Sequence, residues 1–215
     1  MLLPELYYTR SIKYNSWLPS GEHLKKLIME IKYNTIWRRF HAGILDGLIF
    51  LPLAFIQSYF GSRQDLPVII TAAWLIIYTF SRPVYTIAMH SNCGQTIGKK
   101  AMGVILLNVD ETATISFRQS VLREFPALII LAVFTLFKIY IMLGNTITPT
   151  IQTLLSIFSG MNFIWFLLEI ITALTNSKRR ALHDLIAGSV AIRKEYMFQE
   201  KFPEHPEQFQ SEEAA

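Results

Sequence analysis

Charge and cysteine are both scarce in this chain. Asp, Glu, Lys and Arg account for 17% of its 215 residues, where a soluble domain carries about 25%. Hydrophobic residues reach 52% and the mean hydropathy is +0.33. That balance excludes an ordinary soluble domain and points to an integral membrane protein. The one cysteine, Cys93, excludes an intramolecular disulfide and a cysteine-based metal site. No nucleophile–base constellation and no metal-ligand spacing emerge, so the sequence predicts no enzymatic activity, no cofactor and no metal. The stretch Gly94-Gln95-Thr96-Ile97-Gly98-Lys99-Lys100 lacks the spacing and the terminal Lys-Ser/Thr of a phosphate-binding loop. A cleavable signal is not expected either, because Met1-Leu2-Leu3 is followed by Pro4-Glu5 rather than by a basic region and an apolar core.

What the chain has instead is long apolar runs, and these predict an all-α integral membrane protein built as a four-span transmembrane helical bundle. The spans are read at about 40–60, 66–89 with a kink at Pro83, 119–143, and 150–174. Each supplies about 20 apolar residues, enough to cross a hydrocarbon core of about 30 Å at about 1.5 Å per residue. The short loops at 61–65 and 144–149 carry one cation, Arg63, and imply antiparallel neighbours. Lys and Arg concentrate before the first span, in the middle connection and after the fourth. Both termini and the middle connection are therefore expected in the cytoplasm, N-in and C-in. This placement accounts for the net charge of +4 through membrane orientation, and no nucleic-acid partner is expected.

The domain reading follows from the spans. Residues 1–36 form a cytoplasmic or interfacial segment, 37–194 the membrane domain, and 195–215 a cytoplasmic tail. Leu24, Leu27, Ile28 and Ile31 recur at helical spacing with Lys25, Lys26, Glu30 and Lys32 on other faces. A helix lying along the inner leaflet fits that pattern, and so does one packed on the middle loop. The run Val104-Ile105-Leu106-Leu107-Asn108-Val109-Asp110 suits a short strand before a turn. From Phe202 the Pro-, Glu- and Gln-rich composition predicts disorder.

Charged residues inside the apolar runs are the candidates for function. Asp46 lies inside the first span, where an ionised carboxylate costs roughly 2.5–3.5 kcal/mol even on lenient insertion scales. It needs a partner, a proton or a water-filled cavity. Gly43 and Gly47 flank it as a GxxxG pair that suits close helix packing. Arg39 lies seven residues earlier, about 10 Å along a straight helix. It is expected to snorkel to phosphate or to close the cytoplasmic mouth rather than to pair with Asp46. By depth, Arg82, Arg123 and Glu169 fall at the same level as Asp46, so these four are expected to converge on one polar cluster. Asp46 and Glu169 are the cation- or proton-binding candidates, with Arg39, Arg82 and Arg123 as charge partners. A static salt-bridge network is the plainer account of the same residues. Lys138 is set aside as able to snorkel outward, and Trp74, Tyr78 and Tyr85 as packing or interfacial aromatics. Gln95, Lys99, His183 and Asp184 are read as elements at the membrane surface.

Three blocks together resemble the RDD family of bacterial membrane proteins. They are Arg39-Phe40-His41-Ala42 leading to Asp46, then Gly94-Gln95-Thr96-Ile97-Gly98-Lys99, then Arg179-Arg180-Ala181-Leu182-His183-Asp184-Leu185-Ile186-Ala187-Gly188. Arg39 and Asp46 match the first-helix arginine and aspartate of the family's name, Asp184 the second aspartate, and Arg123 an arginine entering the later spans. The turn Asp110-Glu111-Thr112 lacks the glycine often found there, and Arg82-Pro83 is not a feature associated with the family. The resemblance implies a multi-pass protein of the bacterial cytoplasmic (inner) membrane suspected of transport. Exchange of sodium, lithium or potassium for protons is the specific expectation. Four spans are few for a carrier, so a homo-oligomer is expected as well. A membrane scaffold or assembly factor that docks a protein or anionic lipid is the alternative.

Overall fold

The computed structural model describes residues 21–63 and 65–197. Eight α-helices and two strands follow in the order α1 Gly21–Tyr33, α2 Ile36–Ile49, α3 Leu51–Ser62, α4 Val68–Cys93, α5 Ile97–Ala101, β1 Val104–Asn108, α6 Phe117–Met142, α7 Pro149–Thr175, α8 Leu182–Ile186 and β2 Ser189–Arg193. The N-terminal segment before Gly21 and the tail from Phe198, with its expected disorder, lie outside the described residues.

Three helices, α4, α6 and α7, are long and apolar enough to cross a membrane, and α2 with α3 makes a fourth span if the bent pair counts as one. Where one straight first span was expected, the helical segment is broken. Its second half turns by 52° from the helical stretch before it. Pro52 sits at the start of α3, where it has no N–H to donate and its ring crowds the carbonyl four residues back. Helix α4 is continuous through Pro83, where the kink was expected, and α6 through Pro126. Capping residues mark the ends that matter. Ser116 and Gln119 form a reciprocal capping box that starts α6, while Thr148 and Pro149 start α7.

The expectation of an all-α protein needs correction. Strands β1 and β2 pair antiparallel, Val104 with Arg193 through Asn108 with Ser189. The connection that orientation arguments treated as a loop is thus a small folded unit. Its strands are buried on both faces: Tyr33, Ile105, Leu107, Val190 and Ile192 form one cluster, and Val104, Leu106, Ile115 and Ala191 the other. Tyr33 comes from α1, so that helix packs on the sheet by its C-terminal end. The spanning helices behave oppositely, with α7 burying none of its residues within the chain. Apolar side chains that face hydrocarbon need no protein cover. The water-driven core of this chain therefore sits in the sheet, at one end of the bundle.

Two backbone conformations hold that sheet end together. Gly94 ends α4 at φ +65°, with its Cβ direction occupied by the Thr114 side chain and the Leu106 carbonyl. Glu111 adopts φ 61° without being glycine. The left-handed conformation costs roughly 1–2 kcal/mol. Its carboxylate in return takes Lys32 at 2.6 Å and Lys178 at 2.7 Å, with the Tyr33 hydroxyl also donating to it. Burial alone would raise the Glu111 pKa, but these donors outweigh it and hold the group below its ordinary value. One strained residue so links α1, the strand turn and the segment after α7.

Close packing between α2 and α5 occurs at Ala42 and Gly98. A Cβ on Gly98 would lie 2.2 Å from the Ala42 carbonyl oxygen and 2.9 Å from the Asp46 carboxyl carbon. The GxxxG pair does not make this seam: a Cβ on Gly43 or Gly47 would meet nothing within 4 Å. Substituting Gly98→Ala should therefore lower stability by about 2–3 kcal/mol through overpacking against backbone. Gly43→Ala should be neutral or stabilising by up to about 1 kcal/mol from helix propensity. Thermal unfolding of the two variants in detergent checks the contrast, and an equal effect would show the seam to be wrongly placed.

Candidate functional site

Two carboxylates organise the sheet end of the bundle, and they do so by different chemistry. Asp184, in α8, is completely buried. Its Oδ2 lies 2.7 Å from Arg39 Nη2 of α2, and its Oδ1 lies 2.7 Å from Arg123 Nη1 of α6. The remaining acceptor capacity goes to the Ala181 N–H and the Ser189 hydroxyl. Burial alone would raise the Asp184 pKa, but Arg123 and Arg39 hold it far below the ordinary carboxylate range. The neighbouring His183 completes the cluster. Its Nδ1 is 2.6 Å from Glu169 Oε2 of α7, and Glu169 Oε1 accepts the His183 N–H. Its Nε2 faces Arg123 at 2.9 Å and Arg39 at 3.2 Å. Two guanidiniums can only donate, so Nε2 must accept and the proton sits on Nδ1, against Glu169. Burial, then the charge of Arg123, pushes the His183 pKa down, as that neutral tautomer requires.

Asp46 makes no ion pair among the described residues. Its Oδ2 accepts from the Thr96 hydroxyl at 2.6 Å, and its Oδ1 from the Gly98 N–H at 2.8 Å and the Tyr85 hydroxyl at 3.1 Å. Tyr85 in turn accepts the Ile97 N–H. The carboxylate thus satisfies orphan donors in the first turn of α5 and ties that turn to α2 and α4. Of its roughly four acceptor directions, about one is left.

Between these two centres and the far end of the bundle lies a cavity of about 800 Å³, within the range of small-molecule sites. Its polar wall carries Arg39, Asp46, Arg82, Lys99, Arg123, Glu124 and Lys138, and its apolar wall comes mainly from α3 and α6. Gly43 and Gly47 also line it. Their missing side chains make room for the cavity rather than for a neighbouring helix. Thr79 and Pro83 line it as well, and Pro83 leaves the Thr79 carbonyl without its helical N–H partner. Lys99 Nζ lies 2.6 Å from Nε2 of His90, which is itself fully buried. Burial, then Arg123 and Arg39, pushes the Lys99 amine well below its ordinary pKa.

The four-charge convergence expected from depth is not what forms. Arg123 and Glu169 do join one network, through His183 and Asp184, but Asp46 is held separately and Arg82 makes no ion pair among the described residues. Depth arithmetic fixes height, not azimuth, and azimuth decides which side chains meet. Arg39 does not snorkel: Asp184, far along the chain, supplies its counter-charge. Gln95, His183 and Asp184 are packed into the sheet end, with Gln95 and Asp184 buried and His183 held by Glu169 and two arginines. Lys99 lines the cavity beside His90. Lys138, set aside earlier, also lines the cavity, and Tyr85, read as packing, bonds Asp46. Thr96 and His90 carry no sequence signal beyond their polarity, whereas Glu124 stands beside Arg123 in an apolar run.

The model of the RDD family covers residues 33–188. No curated protein and no solved structure matches the chain.

The Asp184 cluster carries a stability expectation. Asp184→Asn leaves two buried guanidiniums without their shared counter-charge and should cost about 3–5 kcal/mol. Its acid response follows from the directions of the two shifts. His183 is held neutral in the folded chain, so stability falls once the pH drops below about 6.5, where the unfolded imidazole takes a proton. The contribution of Asp184 is complete above about 3.9 and is lost as the pH falls further. Unfolding midpoints in detergent should decline from near-neutral pH downward, and His183→Gln should flatten the first part of that decline. A pH profile unchanged in His183→Gln would contradict the assignment.

Proposed function

The chain belongs to the RDD family, and for this member we propose proton-linked transport of a small ion through the cavity, with Lys99 as the proton-carrying group. The supporting observation is a single wall that brings Lys99 beside His90 while opening it to the cavity. The groups around Lys99 come from every neighbouring element: Arg39 from α2, His90 from α4, Arg123 and Glu124 from α6, and Asp184 from α8. Two of these, Arg39 and Arg123, carry positive charge near an amine that is already hard to keep protonated. A monovalent cation entering beside Glu124, which has no hydrogen-bond or ion-pair partner among the described residues, raises that potential further and expels the proton. Departure of the cation lets the amine take a proton back. That cycle is exchange of sodium, lithium or potassium for protons, with Lys99 and Glu124 in place of the Asp46 and Glu169 expected from depth. Asp46 becomes the residue that fixes the α5 turn carrying Lys99. The positive-inside pattern supports a cytoplasmic sheet end, so that exchange takes place near the inner mouth.

The scaffold reading has one observation in its favour. Helix α7 buries none of its residues in the chain and so offers a full length of apolar surface to lipid, to a second copy or to another membrane protein.

Proteoliposomes holding a pH dye separate the two. A pulse of sodium, lithium or potassium salt should move protons in the transport reading. Lys99→Met should lower the rate at least tenfold, whereas Lys100→Met, one residue on and exposed, should leave it unchanged. Absence of proton movement with all three cations in a protein that keeps its fold would reject transport.

A further inference from the structure

We propose that the cavity holds an anionic amphiphile, its charged head on Arg82 and its apolar chain along the wall formed by α3 and α6. This goes beyond the exchange reading and does not depend on transport. Arg82 lies fourteen residues after Val68 and eleven before Cys93, about 21 Å and 16 Å from the two ends of α4. An arginine side chain does not snorkel that far. Lys138 differs, since only four residues separate it from the end of α6 at Met142. Arg82 is exposed to the cavity and has no hydrogen-bond or ion-pair partner among the described residues. The acids of the same wall are not its counter-charges. Asp46 is held by Thr96, Gly98 and Tyr85, and Glu124 acts on Lys99 and Arg123. A guanidinium at mid-span without a counter-charge is costly, and a ligand oxyanion removes that cost while matching its forked donors.

The rest of the cavity decides what is attached to the oxyanion. Phe50, Leu51 and Ala54 face it from one side, and Ile130, Leu131 and Phe134 from the other. Such a wall gains from covering an alkyl chain and has nothing to offer a hydrated inorganic anion. The ligand class is therefore a negatively charged head, such as a carboxylate, phosphate or sulfonate, on an alkyl chain. A bilayer phospholipid and a free single-chain amphiphile share that chemistry.

Equilibrium binding tests the proposal without any gradient. The full chain is placed in phosphatidylcholine nanodiscs and titrated with decanesulfonate, which stays charged at all working pH values, and with decyltrimethylammonium. Decanesulfonate should bind saturably, once per chain and above empty discs, and the cation should not. Arg82→Gln should weaken decanesulfonate about tenfold, the loss of one charge-assisted contact. Arg82→Lys should recover most of the affinity, and Lys100→Gln, exposed and outside the cavity lining, should leave it unchanged. Adding phosphatidylglycerol to the discs identifies the source: competition assigns the site to lipid, and undiminished binding assigns it to a free amphiphile. Equal binding of the two probes by the wild type, or equal decanesulfonate affinity in Arg82→Gln, would overturn the proposal. The probe comparison needs no variant, so a folding defect at position 82 leaves it decisive. Loss of proton exchange in Lys99→Met with decanesulfonate binding intact would separate this site from the exchange mechanism.

Discussion

A carboxylate with no access to water must be surrounded by donors, and Asp184 imposes that condition on the whole sheet end of the bundle. One guanidinium comes from α2 and the other from α6, so two helices must reach the same point for either charge to be tolerated. Its neighbour His183 extends the constraint to α7 through Glu169. The short helix α8 is therefore less an element in its own right than a junction where α2, α6 and α7 are tied. Hydrophobic burial cannot supply this tie. Apolar helices in hydrocarbon gain little by choosing one another over lipid, whereas an unpaired ion in that setting is heavily penalised.

Asp46 works on a smaller scale and leaves the bundle open where Asp184 closes it. It bonds hydroxyls and a backbone N–H rather than cations, so it fixes the α5 turn without drawing in another charge. That turn places Lys99 on the cavity wall beside His90. The glycines on either side of Asp46 keep the same wall thin. Polar groups thus divide into those held by protein partners, Lys99 beside His90 among them, and Arg82, Glu124 and Lys138, which line the cavity with no hydrogen-bond or ion-pair partner among the described residues.

Legibility in the sequence followed the nature of the signal. The membrane-length apolar helices were readable because hydropathy is a property of contiguous residues and hydrocarbon thickness sets the required length. The strand at 104–108 was visible for a similar reason, as a compact β-branched and aliphatic run. Its partner at 189–193 was not, because pairing depends on where two distant segments are brought together. Pro52 begins a new helix at the bend, whereas α4 runs on through Pro83, and a proline in an apolar run does not by itself tell the two apart.

The sequence by itself determined that this is a membrane protein with buried charges that require partners, and three motif blocks sufficed to identify the family. Partner choice was another matter. Arg39 and Asp184 are separated by most of the chain, and no spacing rule connects them. Glycines 43 and 47 read as a packing seam, yet the seam formed one residue away, where Ala42 meets Gly98. Only the tertiary structure decided such questions, because they turn on helix rotation and on the path of the connections. A shift of one residue turns a helix by about 100°, enough to exchange a helix contact for a cavity wall.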